Sequence, residues 1–259
     1  MPLMSAKPVT GRACAIALRE IWQRLKRSPK QLFIWGLAIA TGLLVVLTPL
    51  EFSFAKPSIP ATSQRHPLPF TLMQWRDFTN SGDYFEQVKL TEVGYLVWSH
   101  FPVKVYISDT QIETWLQVKV AVKEWNQYLP LQIVGQKEIA DIVITFKSPP
   151  LRTTNLLRAR SALTRYELYI NRLSTSESVL AHRCTIILSP NQPSKYIKAA
   201  ALHELGHALG IWGHSSVISD ALYFSQVSNP PSISPRDINT LKRIYQQPTR
   251  LGWKVAVRK

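Results

Sequence analysis

His203-Glu204-Leu205-Gly206-His207-Ala208-Leu209-Gly210-Ile211-Trp212-Gly213-His214 sets three imidazoles and one carboxylate at spacings that a metal ion can use. On an α-helix, residues four apart share a face, so His203 and His207 can aim their rings at one point. Glu204 is adjacent and rotated around the helix, which puts its carboxylate beside a water at the metal rather than on the metal. Gly210, three residues after His207, is a natural helix terminus because it adopts positive φ without a Cβ clash. The returning chain then carries His214 to a third coordination position. A fourth position stays open, which is the catalytic and not the closed structural pattern of zinc. With five fixed positions, a chance match in a chain of this length is expected on the order of 10⁻⁴.

The same twelve residues, which read HExxHxxGxxxH, resemble the HExxHxxGxxH signature of the metzincin zinc metallopeptidases, with one residue more before the last histidine. The residues after His214 are most similar to the matrixin branch, of a membrane-anchored bacterial type. Ser215 and Ser216, then Asp220-Ala221-Leu222-Tyr223, then Ile233-Ser234-Pro235-Arg236-Asp237-Ile238 before Leu241 and Tyr245, reproduce the matrixin order of zinc-binding loop, Met-turn and final helix. The resemblance implies one catalytic Zn2+ held by His203, His207 and His214, Glu204 as general base, and a peptide or protein substrate. It also implies an α+β, metzincin-like fold: a twisted, mixed, mostly parallel β-sheet with a long backing helix, an active-site helix and a C-terminal helix. One position departs from the family. Leu222 stands where the Met-turn carries its methionine, an apolar floor under the zinc, and a volume-conserving exchange there costs below about 1.5 kcal/mol. Tyr223 is read as structural. His66, His100 and His182 do not reproduce the ligand set of a second, structural zinc.

Composition adds the setting. The chain has 259 residues and a net charge of +15. From Met1 to Gln31 there are 7 basic residues and 1 acidic one, so the excess is not confined to this tail. Gln31 to Leu50 carries no charge, and a helix of that length spans about 30 Å, the thickness of a bilayer core. Arg24, Lys26, Arg27 and Lys30 lie just before it and are expected to stay cytoplasmic. The organisation expected is a basic cytoplasmic tail (1–31), a transmembrane anchor or signal segment (32–50), a linker and lead-in (51–100) and a matrixin-like catalytic domain (101–259). The protein is then a single-pass membrane protein with its catalytic domain extracytoplasmic, or a secreted one if cleaved after Ala55 in Ser53-Phe54-Ala55. Cys14 and Cys184 fall on opposite sides of the apolar segment, which excludes a disulfide between them. Cys184 reads as a small buried hydrophobe in a strand.

Within the last segment, Val103, Val105 and Ile107 alternate with Lys104 and Tyr106 as a strand. Thr110-Gln111-Ile112-Glu113 matches a capping box, and Ile112, Trp115, Val118, Val122, Trp125 and Leu129 recur at helical spacing. Leu131–Val134, Ala140–Phe146, Tyr166–Ile170 and Cys184–Leu188 read as further strands, and the resemblance implies that one of the last two forms the edge along an active-site cleft. Ser194 is the expected N-cap of a helix running to Leu209. Lys56–Pro60 and His66–Pro69 read as extended linker. From Lys147 to Lys198 there are 9 basic and 2 acidic residues, among them Arg152, Arg158, Arg160, Arg165 and Arg172. Such a cluster reads as a solvated surface open to anionic contacts; nucleic acid is not an expected partner. The alternative to a peptidase is a catalytically silent zinc-bearing ectodomain that binds a protein or polyanionic partner. Retention of Glu204 argues against it, since a purely structural site needs no general base.

Overall fold

Alternation of Val103, Val105 and Ile107 with polar neighbours gives β1 (Val103–Ile107), and in the computed structural model those three side chains are buried while Lys104 and Tyr106 are not. The structure describes residues 62–149, 161–175 and 177–255, all within the unit Lys56–Lys259. The apolar run 31–50, the basic tail, Cys14, the 56–60 linker stretch, Arg152, Arg158 and Arg160 lie outside the described residues. No helix among the described residues is long and apolar enough to cross a membrane.

The described chain runs α1 (Phe70–Gln74), a 3-10 turn (Phe85–Gln87), β1, α2 (Ile112–Trp125), β2 (Leu131–Val134), a 3-10 turn (Lys137–Ile139), β3 (Ile142–Phe146), β4 (Ala162–Arg172), β5 (Ser178–Leu188), α3 (Ser194–Ala208) and α4 (Pro235–Tyr245). It is an α+β fold. The sheet has five strands in the order β2-β1-β3-β5-β4. All pairs are parallel except β4 with β5, which register antiparallel from Ala162 opposite Leu188 to Arg172 opposite Ser178. Both hairpin strands are longer than their apolar cores, because cross-strand hydrogen bonds carry the pairing out through polar ends such as Asn171 and Arg172. The sheet ends at β4, whose outer edge pairs with no described residue.

Side chains of β1, β3 and β5 join those of α2 and α3 in one core, with Ile142, Ile144, Cys184, Ile186 and Leu188 fully covered. The Trp125 indole of α2 donates to the Leu202 carbonyl of α3 at 2.9 Å. A buried indole N–H left without that acceptor would cost about 1–3 kcal/mol.

Two helix starts differ from the sequence reading for one shared reason. The N-cap of α2 is Gln111, with no side-chain cap bond, so Thr110 and Glu113 form no capping box. The N-cap of α3 is Pro193, which makes Ser194 the first helical residue rather than the cap. Glu113 instead accepts a hydrogen bond from the Ser194 hydroxyl, a contact that ties the two starts together. Ile112 also leaves the expected core stripe: it is 72% exposed, and Thr114 and Ala121 are buried with Val118, Val122 and Trp125.

The stretch 64–98, read from sequence as linker and lead-in, contributes Leu72, Tyr84, Val88, Val97 and Trp98 to the main core. Gln64 bridges Thr249, and the His66 ring stacks on Trp253 at 4.4 Å. Its helices are only α1 and the turn at Phe85–Gln87.

Candidate metal centre

Two of the three histidines are placed by α3 and by how that helix stops. Gly210 follows the C-cap Leu209 with φ +130°, its N–H bonds the His207 carbonyl at 3.0 Å, and the Ile211 N–H bonds the Gly206 carbonyl at 3.0 Å. This is the Schellman arrangement. A Cβ on Gly210 would also stand 2.5 Å from the Leu96 carbonyl oxygen. Two remaining helix-end carbonyls find side-chain donors: Trp98 Nε1 bonds the Ala208 carbonyl at 3.0 Å, and the Tyr245 hydroxyl bonds that of Leu209 at 3.1 Å.

The same turn fixes a ring. His207 Nδ1 bonds the Ile211 carbonyl at 2.6 Å, and His203 Nδ1 bonds the Ala221 carbonyl at 2.9 Å. A carbonyl can only accept, so each Nδ1 carries the proton and each Nε2 presents a lone pair. Those two Nε2 atoms face one another at 3.1 Å. Lone pairs so opposed repel unless a cation sits between them, and tetrahedral zinc–imidazole bonds of about 2.05 Å would set nitrogens about 3.3 Å apart. His214 closes the triangle, its ring centre 5.2 Å from His203 and 4.9 Å from His207. One nitrogen from each of the three lies within 4.8 Å of the others, so this cluster can hold a metal ion. Burial pushes His203 and His207 down to about 4 and lowers His214 as well, which keeps all three neutral near pH 7, as metal ligation requires.

No model of a known family matches this chain, and no curated protein matches it.

Glu204 lies on α3 beside His203 and is buried. Its Oε2 accepts from the Thr164 hydroxyl at 2.6 Å, which joins the carboxylate to edge strand β4. Tyr166, also on β4, packs edge-on against Trp212 at 5.0 Å, and Trp212 lies 6.0 Å from the His207 ring. Edge strand and metal centre are therefore neighbours.

Leu222 is fully buried under α3. Gly206, between His203 and His207, would place a Cβ only 2.5 Å from Leu222 Cδ2, so leucine packs against its bare backbone. The turn that carries Leu222 is held by Asp237, whose carboxylate accepts from the N–H groups of Ala221 at 2.9 Å and Leu222 at 3.4 Å and from the Tyr84 hydroxyl at 2.5 Å. Burial raises the pKa of this carboxyl against those hydrogen bonds. Ser234 and Asp237 also form a full capping box for α4, with Pro235 at its first position.

Four residues of this neighbourhood were given no role by the sequence reading, although Asp220 and Asp237 stand in the stretches that carry the resemblance: Thr164, Asp220, Asp237 and Tyr84. Ser234-Pro235-Arg236-Asp237 carries a capping signal that would have singled out Asp237. Thr164, Asp220 and Tyr84 carry none, since their partners lie on other elements. The remaining histidines sit elsewhere: His66 on Trp253, His100 paired with Asp141 at 3.2 Å, and His182 stacked on Trp98 at 3.8 Å.

Proposed function

We propose that this chain is a zinc-dependent endopeptidase of the metzincin, matrixin-like type, anchored by its N-terminal apolar segment and acting outside the cytoplasmic membrane. The observation that carries the proposal is the pair of facing Nε2 atoms at 3.1 Å, with both Nδ1 atoms committed to carbonyls and His214 alongside. Three neutral imidazoles with an open fourth position form the catalytic donor set of zinc. The antiparallel edge strand β4 beside β5 and the buried Leu222 under α3 agree with the fold that the resemblance implies.

When bound, zinc supplies a Lewis acid that lowers the pKa of water towards about 7 and polarises a carbonyl oxygen. Glu204 accepts the proton of the attacking water on its carboxylate and passes it to the leaving amine. Thr164 holds one carboxylate oxygen, which limits the positions Glu204 can take during that transfer. An extended peptide joins the free edge of β4 through main-chain hydrogen bonds, and the Thr164–Glu204 bond sets that edge beside the general base.

The test is cleavage of a diverse peptide library by the purified chain with zinc. Chelation should abolish cleavage, and Glu204→Ala should abolish it while still holding the metal. Persisting cleavage by the Ala variant would overturn the role of Glu204, and failure of the wild type to hold zinc would overturn the proposal itself.

A further inference from the structure

His214 is the ligand that α3 does not place. It sits on the loop after the helix, and among the described residues its ring makes no hydrogen bond such as those that fix His203 and His207. Its position must come from the backbone around it. The next residue, Ser215, is 1% exposed and uses every polar atom it has: its N–H bonds the Leu222 carbonyl at 2.9 Å, its carbonyl accepts from Phe224 at 3.3 Å, and its hydroxyl accepts from the Val217 N–H at 3.0 Å. That hydroxyl donates to Asp220 Oδ2 at 2.5 Å.

Asp220 is fully buried and takes two further constraints from the start of α4. Its Oδ1 accepts from the Ser234 hydroxyl at 2.7 Å, its Oδ2 accepts from Arg236 Nε at 3.0 Å, and Arg236 is itself anchored to the Ser81 carbonyl at 3.0 Å. A carboxylate buried this deeply is held only by its partners, and each partner is in turn held by it.

We infer that Asp220 is a positioning residue for the third metal ligand, acting through Ser215 to hold the backbone of His214; this rests on the reading of the three histidines as a zinc site. Outer partners of this kind govern metal affinity because a ligand displaced by a few tenths of an ångström no longer coordinates well. The carboxylate never needs to approach the ion.

The experiment measures zinc affinity by competition with a chromophoric chelator, in the wild type, Asp220→Asn, Ser215→Ala, His214→Ala and the Asp220→Asn/His214→Ala double variant. Circular dichroism melting of each checks folding. Asp220→Asn should weaken zinc about 10–100-fold, and Ser215→Ala, which removes one hydroxyl and leaves the Arg236 pair intact, should weaken it in the same direction. In the His214→Ala background Asp220→Asn should add less than about a twofold change, since its effect passes through the missing ligand. The cobalt-substituted Asp220→Asn protein should show the visible spectrum of the His214→Ala protein. Undiminished zinc affinity in Asp220→Asn or Ser215→Ala overturns the inference, as does an equal loss with and without His214. A wild type that holds no zinc overturns the zinc reading and this inference together, which separates the two failures.

Discussion

Gly213 directly precedes His214, and a Cβ there would stand 2.3 Å from the Gln87 carbonyl oxygen, 2.8 Å from its carbon and 3.0 Å from Val88 Cα. Ordinary contact begins near 3.4 Å, so Gly213→Ala must recover about 1.1 Å against the oxygen. All three obstacles are backbone, and the Lys89 N–H bond to the Trp212 carbonyl at 3.0 Å ties the same two stretches together, so no side chain can swing aside. If the loop holds its place, overpacking costs about 1–3 kcal/mol, and melting falls by about 2–4 °C for each kcal/mol in a domain of this size. If the loop retreats by about 1 Å, His214 is lost to the proposed zinc site, since metal–ligand distances tolerate only about 0.2 Å. Chelator competition and thermal melting with and without zinc read both outcomes; the expectation is at least a tenfold loss of affinity, a loss of melting temperature, or both. Gly135→Ala is the control, because its Cβ meets nothing within 4 Å and a stiffer unfolded chain stabilises by about 0.4–1 kcal/mol. A Gly213→Ala protein with wild-type affinity and a melting temperature within about 1 °C of the wild type would refute the reasoning.

Thr164→Val removes the hydroxyl bonded to Glu204, a contact of the charged class worth about 1.5–3 kcal/mol; peptide turnover should fall about 10–100-fold with zinc affinity unchanged, and Thr164→Ser should restore it. Full kcat in the Val variant would count against the positioning of Glu204. Burial pushes His182 down to about 3 from its ordinary 6.5, so the folded state resists its proton. The stability linked to this group is intact above about pH 6.5 and falls as pH drops towards about 3, by about 2 kcal/mol between pH 6.5 and 5. His182→Phe, which keeps a ring against Trp98, should flatten the acid slope of the urea midpoint; an unchanged slope would exclude this source.

What sequence revealed divides by the range of the interactions. The ligand helix was legible because its 3.6-residue period and the glycine that ends it are local, and Gly210 lies where the Schellman turn needs it. The alternation of β1 was legible for the same reason, as were the positions of β2 and β3. The starts of α2 and α3 were misplaced because Glu113 and Ser194, each a plausible local capping residue, bond to one another across 81 positions. The roles of Thr164 and Asp220 were invisible for a related reason. Threonine in a strand and aspartate in a loop are ordinary residues until β4 meets α3 and α4 meets the loop after α3.

The stretch before residue 101 shows the same limit most clearly. It has little periodicity and many polar residues, yet a line of bonds runs from it to His203: the Tyr84 hydroxyl to Asp237, the Ala221 N–H to Asp237, and His203 Nδ1 to the Ala221 carbonyl. Trp98 satisfies the last turn of α3, and the Lys89 N–H holds the Trp212 carbonyl two residues before His214. A 101–259 segment, the domain expected from sequence alone, lacks Tyr84, Lys89 and Trp98 and so the bonds that they donate. It also lacks Leu72, Leu96 and Trp98, each at most 2% exposed. Truncating one such side chain costs about 2–5 kcal/mol, so the three together cost about 6–15 kcal/mol, as much as the whole margin of about 5–15 kcal/mol that a domain usually holds. The 101–259 segment should therefore show no cooperative melting and no stoichiometric zinc, whereas 56–259 should show both. A cooperative, zinc-loaded 101–259 protein would mean that the bonds from Tyr84, Lys89 and Trp98 decorate the metal centre without supporting it.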